Sequence, residues 1–171
     1  KRLGAFSSKL SDYKEPFRDI LKTKNVFAWN AIHEKAFEDV KKSLVEPPIL
    51  ALFDSKKETR LETDASRTKG LGYDLLQLHG EQWKLVECGS RFLSDAESRY
   101  AMVELESLAI KWAIKKCHVY LSGLPGFEVI TDHSSLPTLF NKYSLNQIDN
   151  VRVQSYRMHL QNYQFTVKWK Q

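Results

Sequence analysis

The sequence predicts a mixed α/β (α+β) domain, a sheet with helices packed on it, preceded by a helical segment. Three observations carry this. Hydrophobic spacing is helical up to Pro47-Pro48 and strand-like after residue 50. Three strand-like stretches then follow one another with short polar links, which suggests an antiparallel meander. Beyond them helix and strand patterns alternate, so the whole order is helices, then β-β-β-α-β-α-α-β.

Each element has its own reason. EPFRDILKTKN reads as one short helix, and HEKAFEDVKKSLVE (33–46) as a better one. In the latter Ala36, Phe37, Val40 and Leu44 fall on one side and charges fill the other, until the proline pair stops it. In KKETRLETDAS, Leu61, Thr63 and Ala65 alternate with Arg60, Glu62 and Asp64. LGYDLLQL (71–78) and WKLVECGSRFL (83–93) are the next strands, joined by the polar turn HGEQ. A long helix is expected from Ala101 to Leu121, ended by Gly123, Pro125 and Gly126. FEVITD (127–132) reads as a strand, SSLPTLFNKY as a short helix, and QIDNVRVQSYRMHLQN (147–162) as a helix. The last strand is YQFTVKWK (163–170), with Phe165, Val167 and Trp169 alternating.

Composition bounds the function classes. At 171 residues, with 42% hydrophobic and 27% charged, the chain is long enough for one globular domain or a domain plus an appendage. No stretch approaches the roughly 18 apolar residues of a membrane span, and no apolar core follows the basic N-terminus, so neither a membrane partner nor a signal peptide is expected. The net charge of +5 is a mild bias toward polyanions. The bias is sharper after Asn141, where Lys142, Arg152, Arg157, Lys168 and Lys170 stand against Asp149 alone. Cys88 and Cys117 lack zinc spacing and read as reduced, buried thiols.

Three acids sit where structure alone does not ask for them. Asp64 and Asp132 end strands, in ETDAS and VITDH; taken singly, each is an ordinary turn residue. Glu106 shares a helix face with Ile110, Ala113 and Cys117. Glu104 points toward Lys111 and Lys115, where a solvated charge ladder explains it. A carboxylate on a buried face is costly unless paired or coordinated. Three that met would raise one another's pKa and call for a cation. Oxygen-only ligands favour Mg²⁺ or Mn²⁺, and two such ions suit phosphodiester hydrolysis.

At these residues the sequence resembles the ribonuclease H domain, with the preceding polymerase connector, of gypsy-type LTR retrotransposon polyproteins. The carrying segments are FAWNAIHEKAFEDVKKSLVEPPILALFD, LETDAS, LGYDLLQ, SRFLSDAESRYAMVELESLAI, KKCHVYLSG, FEVITDHSSL and DNVRVQSYRMHLQNYQFTVKWK. They occur in the family's order and cover nearly the whole chain. The resemblance implies residues 1–50 as a helical connector and 51–171 as a ribonuclease H-like domain: a mixed five-stranded sheet with flanking helices. It implies two-metal-ion cleavage, with Mg²⁺ or Mn²⁺ and no small-molecule cofactor, of the RNA strand of RNA–DNA hybrids during reverse transcription. Asp64, Glu106 and Asp132 take the catalytic, metal-holding positions, with Glu104 the fallback for Glu106. The implied partners are the hybrid and the rest of the reverse transcriptase polyprotein. The implied location is intracellular, in the cytoplasm or a retroelement particle.

The departures are specific. The family's fourth metal-site aspartate lies in an Ala-Asp-Ala-Leu-Ser-Arg type segment beyond Gln171, and the chain reads as a slice of a longer polyprotein. A second reading follows, a catalytically inactive nucleic-acid-binding or structural module. Asp74 replaces an apolar residue and is expected to face solvent. Val151 replaces a proline. His133 is expected to cap the following helix, and Trp83, Trp112 and Trp169 to serve the core or the sheet. Arg152, Arg157, Lys168 and Lys170 are candidate contacts to a hybrid backbone or simply a solvated face.

Overall fold

The computed structural model describes residues 15–18, 20, 27–45 and 50–170. A helical turn spans Glu15–Phe17, and helix α1 spans Ala31–Val45. Of the rest of the expected first helix only Arg18 and Ile20 are described, as turn residues; its other residues, and Pro47-Pro48, lie outside the described residues. In α1, His33 and Ala36 are buried, while Phe37, expected on the apolar side, is exposed and edge-on to Trp29.

Five strands follow: β1 (Thr59–Ser66), β2 (Gly70–His79), β3 (Gln82–Arg91), β4 (Phe127–Thr131) and β5 (Phe165–Trp169). They form one sheet in the order β3-β2-β1-β4-β5. The expected meander is there, with β1, β2 and β3 antiparallel, whereas β4 joins β1 in parallel and β5 joins β4 in parallel. Parallel neighbours need a crossover, and helices supply it. These are α2 (Met102–Lys116) with the short α3 (His118–Leu121), and then α4 (Val151–Met158).

Alternation in β1 reads as the sequence predicts: Leu61, Thr63 and Ala65 are buried and Asp64 is exposed. Helix α2 lies on that buried face. Its Ile110, Ala113 and Ile114 join Leu61, Tyr73, Leu75 and Val129 in the core. Leu105, Leu108 and Ala109 join Ala65, Leu71 and Leu93. Gly89 is needed here, since a Cβ would stand 2.6 Å from the Tyr73 ring.

Three expectations are adjusted. The helix expected over 101–121 is interrupted at Cys117, which caps α2. The helix expected over 147–162 runs only from Val151 to Met158, because the Asn150 side chain accepts from the N–H groups of Arg152 and Val153 and sets its start. Asp74 lies opposite Glu62 and Cys88, half-buried rather than in solvent; burial, then the Glu62 charge, pushes its carboxyl up.

Each sheet edge is engaged at one point among the described residues. On β3, the Ala51 N–H donates to Leu85 O at 2.7 Å, and the buried Gln77 amide ties the same segment down through the N–H and carbonyl of Asp54. On β5, Asn141 Nδ2 donates to Val167 O (2.7 Å) and the Val167 N–H donates to Asn141 Oδ1 (2.9 Å). Cys88 and Cys117 are buried and free of disulfide. No helix among the described residues is long and apolar enough to cross a membrane.

Candidate metal centre

Asp64 lies near the end of β1, and Asp132 directly follows β4. Because β1 and β4 run parallel, their carboxyl ends point the same way, the edge at which sheets of this kind build sites. Their pairing covers Arg60–Glu62 and residues 128–130 and goes no further. Past it, the Ala65 N–H donates to Glu106 Oε1 at 3.2 Å. That bond hangs the second turn of α2 over the strand ends. Asp64, Glu106 and Asp132 each then offer an oxygen within 4.8 Å of the others.

The three acids are not equivalent. Asp64 and Asp132 are exposed, whereas Glu106 is 1% exposed. Burial first, then the charges of Asp132 and Asp64, push the Glu106 carboxyl up to about 8. Its Oε2 is buried with no hydrogen-bond partner. A buried oxygen without a hydrogen-bond partner, on a residue grouped with two further carboxylates, fits a hard cation, since native structures rarely leave such an atom unsatisfied.

Glu104 corrects the sequence reading. It does not join Lys111 and Lys115 at a solvated edge; it is 6% exposed and accepts from Ala101 N, Asn150 Nδ2 and Arg152 Nη1. A glutamate three residues after an N-cap position is a capping signal that the sequence already carried.

The basic candidates are mostly engaged within the fold. Arg152 pairs with Glu104 and lies over the Tyr100 ring. Arg157 donates to the carbonyls of Leu139 and Tyr143. Lys168 pairs with Glu128, which also holds Arg60. Lys170 is exposed, and its N–H donates to Thr131 O beside Asp132. His133, expected to cap the following helix, bonds Ser135 through Nδ1 in the turn before it, while the N-cap position of Thr138–Lys142 is Pro137. Trp83 and Trp112 pack against Arg60 and Tyr73. Trp169, a sheet residue, is 47% exposed, and its Nε1 donates to Asp132 O at 3.0 Å.

Two acids at the carboxyl ends of parallel strands and a third on the helix above them, in a β3-β2-β1-β4-β5 sheet crossed by helices, define a ribonuclease H-like domain. The family described as an RNase H-like domain found in reverse transcriptase matches residues 29–129, and the chain belongs to it. The Tf2-3 and Tf2-4 transposon polyproteins of Schizosaccharomyces pombe are each 31% identical over 98% of this chain, which spans 12% of their length. The foamy viral protease-reverse transcriptase solved with an RNA/DNA hybrid has the same fold, with TM-score 0.69 and 15% identity over 98% of this chain and 23% of that one. Its structure with double-stranded DNA gives TM-score 0.69 at 17% identity, over 98% of this chain and 35% of that one.

Proposed function

We propose that this domain hydrolyses the RNA strand of RNA–DNA hybrids during reverse transcription of a retroelement, with two divalent ions, Mg²⁺ or Mn²⁺, held by Asp64, Glu106 and Asp132. The observation that carries the reading is the meeting of these three acids around a buried carboxylate oxygen that no protein donor satisfies. Divalent ions bound there supply Lewis acidity toward a phosphodiester.

The chain's own residues do the rest. The Ala65 N–H fixes one Glu106 oxygen and leaves the other without a hydrogen-bond partner. Exposed Asp64 and Asp132 leave the centre open to a strand approaching from solvent. Trp169 Nε1 steadies the Asp132 backbone. Lys170, exposed beside that strand end, is the basic residue we assign to the hybrid backbone. We also read residues 1–50 as the connector to the polymerase of a longer polyprotein.

The test is Mg²⁺-dependent cleavage of a labelled RNA–DNA hybrid by the wild type and by Asp64→Asn. Loss of cleavage in the variant is expected, and equal cleavage by both ends the assignment. Salt-dependent hybrid binding with no cleavage by the wild type marks a binding module instead.

A further inference from the structure

Glu104 is the more firmly anchored of the two helix acids, and the proposed chemistry does not use it. Its carboxylate takes donors from three places: the Ala101 N–H before α2 (2.9 Å), Asn150 Nδ2 (3.0 Å) and Arg152 Nη1 (3.0 Å). Asn150 is itself the N-cap of α4, its Oδ1 accepting from the N–H groups of Arg152 and Val153, both at 3.1 Å. Arg152 closes the circuit, with its guanidinium 4.4 Å from the centroid of the Tyr100 ring, next to Ala101. One carboxylate thus joins the first turns of two helices.

Helix capping accounts for the bond to the Ala101 N–H, but not for the two donors that α4 sends to the same carboxylate. Ala101, at the start of α2, has no side-chain acceptor to offer the unpaired N–H groups of the first turn. Arg152, in the first turn of α4, is a cation at the end where the helix dipole disfavours one. Placing it there makes sense once Glu104 is its partner. Glu106 also follows Glu104 by two residues, on the turn that fraying would disturb. Repulsion from Asp64 and Asp132 pushes on that same turn.

We infer that Glu104, Asn150 and Arg152 form a positioning clamp that holds Glu106 in place against Asp64 and Asp132. The clamp rests on the metal-site reading above. Glu104 touches no reacting atom in this scheme; it acts through Glu106 and the Ala65 N–H that Glu106 accepts.

The test uses the full chain and Mg²⁺ alone, by titration calorimetry, on the wild type, Glu106→Gln and Glu104→Gln, at a temperature where circular dichroism shows each folded. The wild type is expected to bind, Glu106→Gln to lose binding, and Glu104→Gln to bind about 10-fold more weakly, as when other ligand-orienting partners are removed. Amide exchange of the metal-free protein gives a second readout. The Ala65 N–H is expected to exchange faster in Glu104→Gln, while those of Leu61 and Leu75 keep their protection. Unchanged Mg²⁺ affinity and Ala65 protection in Glu104→Gln overturn the clamp and leave the metal site standing, whatever the loss in Tm. A wild type that binds no Mg²⁺ overturns the metal site and the clamp with it. Should Glu104→Gln not fold, Arg152→Gln, at a side chain 54% exposed, makes the same comparison. Weaker Mg²⁺ binding supports the clamp, and unchanged binding overturns it.

Discussion

The start of α2, where it meets α4, and the turn after it, where it meets β1 and β4, each bury one glutamate. Burial pushes Glu104 up, but Asn150, the Ala101 N–H and Arg152 outweigh it and hold the carboxyl below its usual range. Around Glu106 a single N–H opposes burial and two acids, and the carboxyl is pushed up to about 8. Both glutamates are shielded from solvent, Glu106 the more deeply, and their carboxyls are shifted in opposite directions. The donors that surround a carboxylate, together with its depth, decide whether it supports the fold or is left wanting a cation.

Substitutions can break this contrast or sharpen it. The largest expected effect is at Glu104: Glu104→Ala removes an acceptor of three hydrogen bonds and is expected to cost about 2–3 kcal/mol, read as a lower urea midpoint at unchanged slope. A cost near zero would erase the difference between the two sites. Glu106→Gln has the opposite sign. In metal-free protein near pH 7.5 it is expected to stabilise by on the order of 2 kcal/mol, because the unfolded chain loses a proton that folded Glu106 keeps, and Gln removes that difference.

Acidity separates the pair further. Folded, Glu106 keeps its proton up to about 8, whereas its ordinary value is 4.5. Across that window the unfolded state binds fewer protons, so the stability of metal-free protein falls as pH rises through it. Glu104, with its folded value lowered, contributes stability that is present above its ordinary range and lost as pH falls through the lowered value. Thermal melts across pH are expected to show both limbs, and Glu106→Gln to abolish the alkaline one. Mg²⁺ is expected to raise the Tm of the wild type and not of Glu106→Gln. The smallest effect belongs to Glu128, which has donors without deep burial: Lys168, then burial, then Arg60 set its lowered value. Lys168→Met is expected to cost under about 1 kcal/mol in denaturant melts.

The sequence showed one half of this contrast clearly. Alternation in LETDAS placed Asp64 opposite Leu61 and Ala65, and helical spacing put Glu106 with Ile110 and Ala113. Both readings need only the residue's own element. Glu104 failed because its partners lie on another helix, 46 and 48 residues away, and no wheel drawn on α2 contains them. Asp74 failed in the same way, since its surroundings come from the two strands beside it. The shortened α4 was legible in principle, as Asn150 is a strong N-cap residue that was read as helix interior. Arg152, Arg157 and Lys168 looked like a basic surface because charge counts do not reveal intramolecular acceptors.

The amide of Asn141 has a consequence beyond local bonding. By answering both polar groups of Val167, it stands in for one residue of a sixth strand. An exposed strand edge is an open template on which a foreign chain can crystallise into a longer sheet. Here a visiting strand would first have to evict Asn141 on one flank or the segment around Ala51 on the other. At those two points an added strand finds its backbone partners already taken, which lowers the tendency of copies of the domain to pair edge to edge.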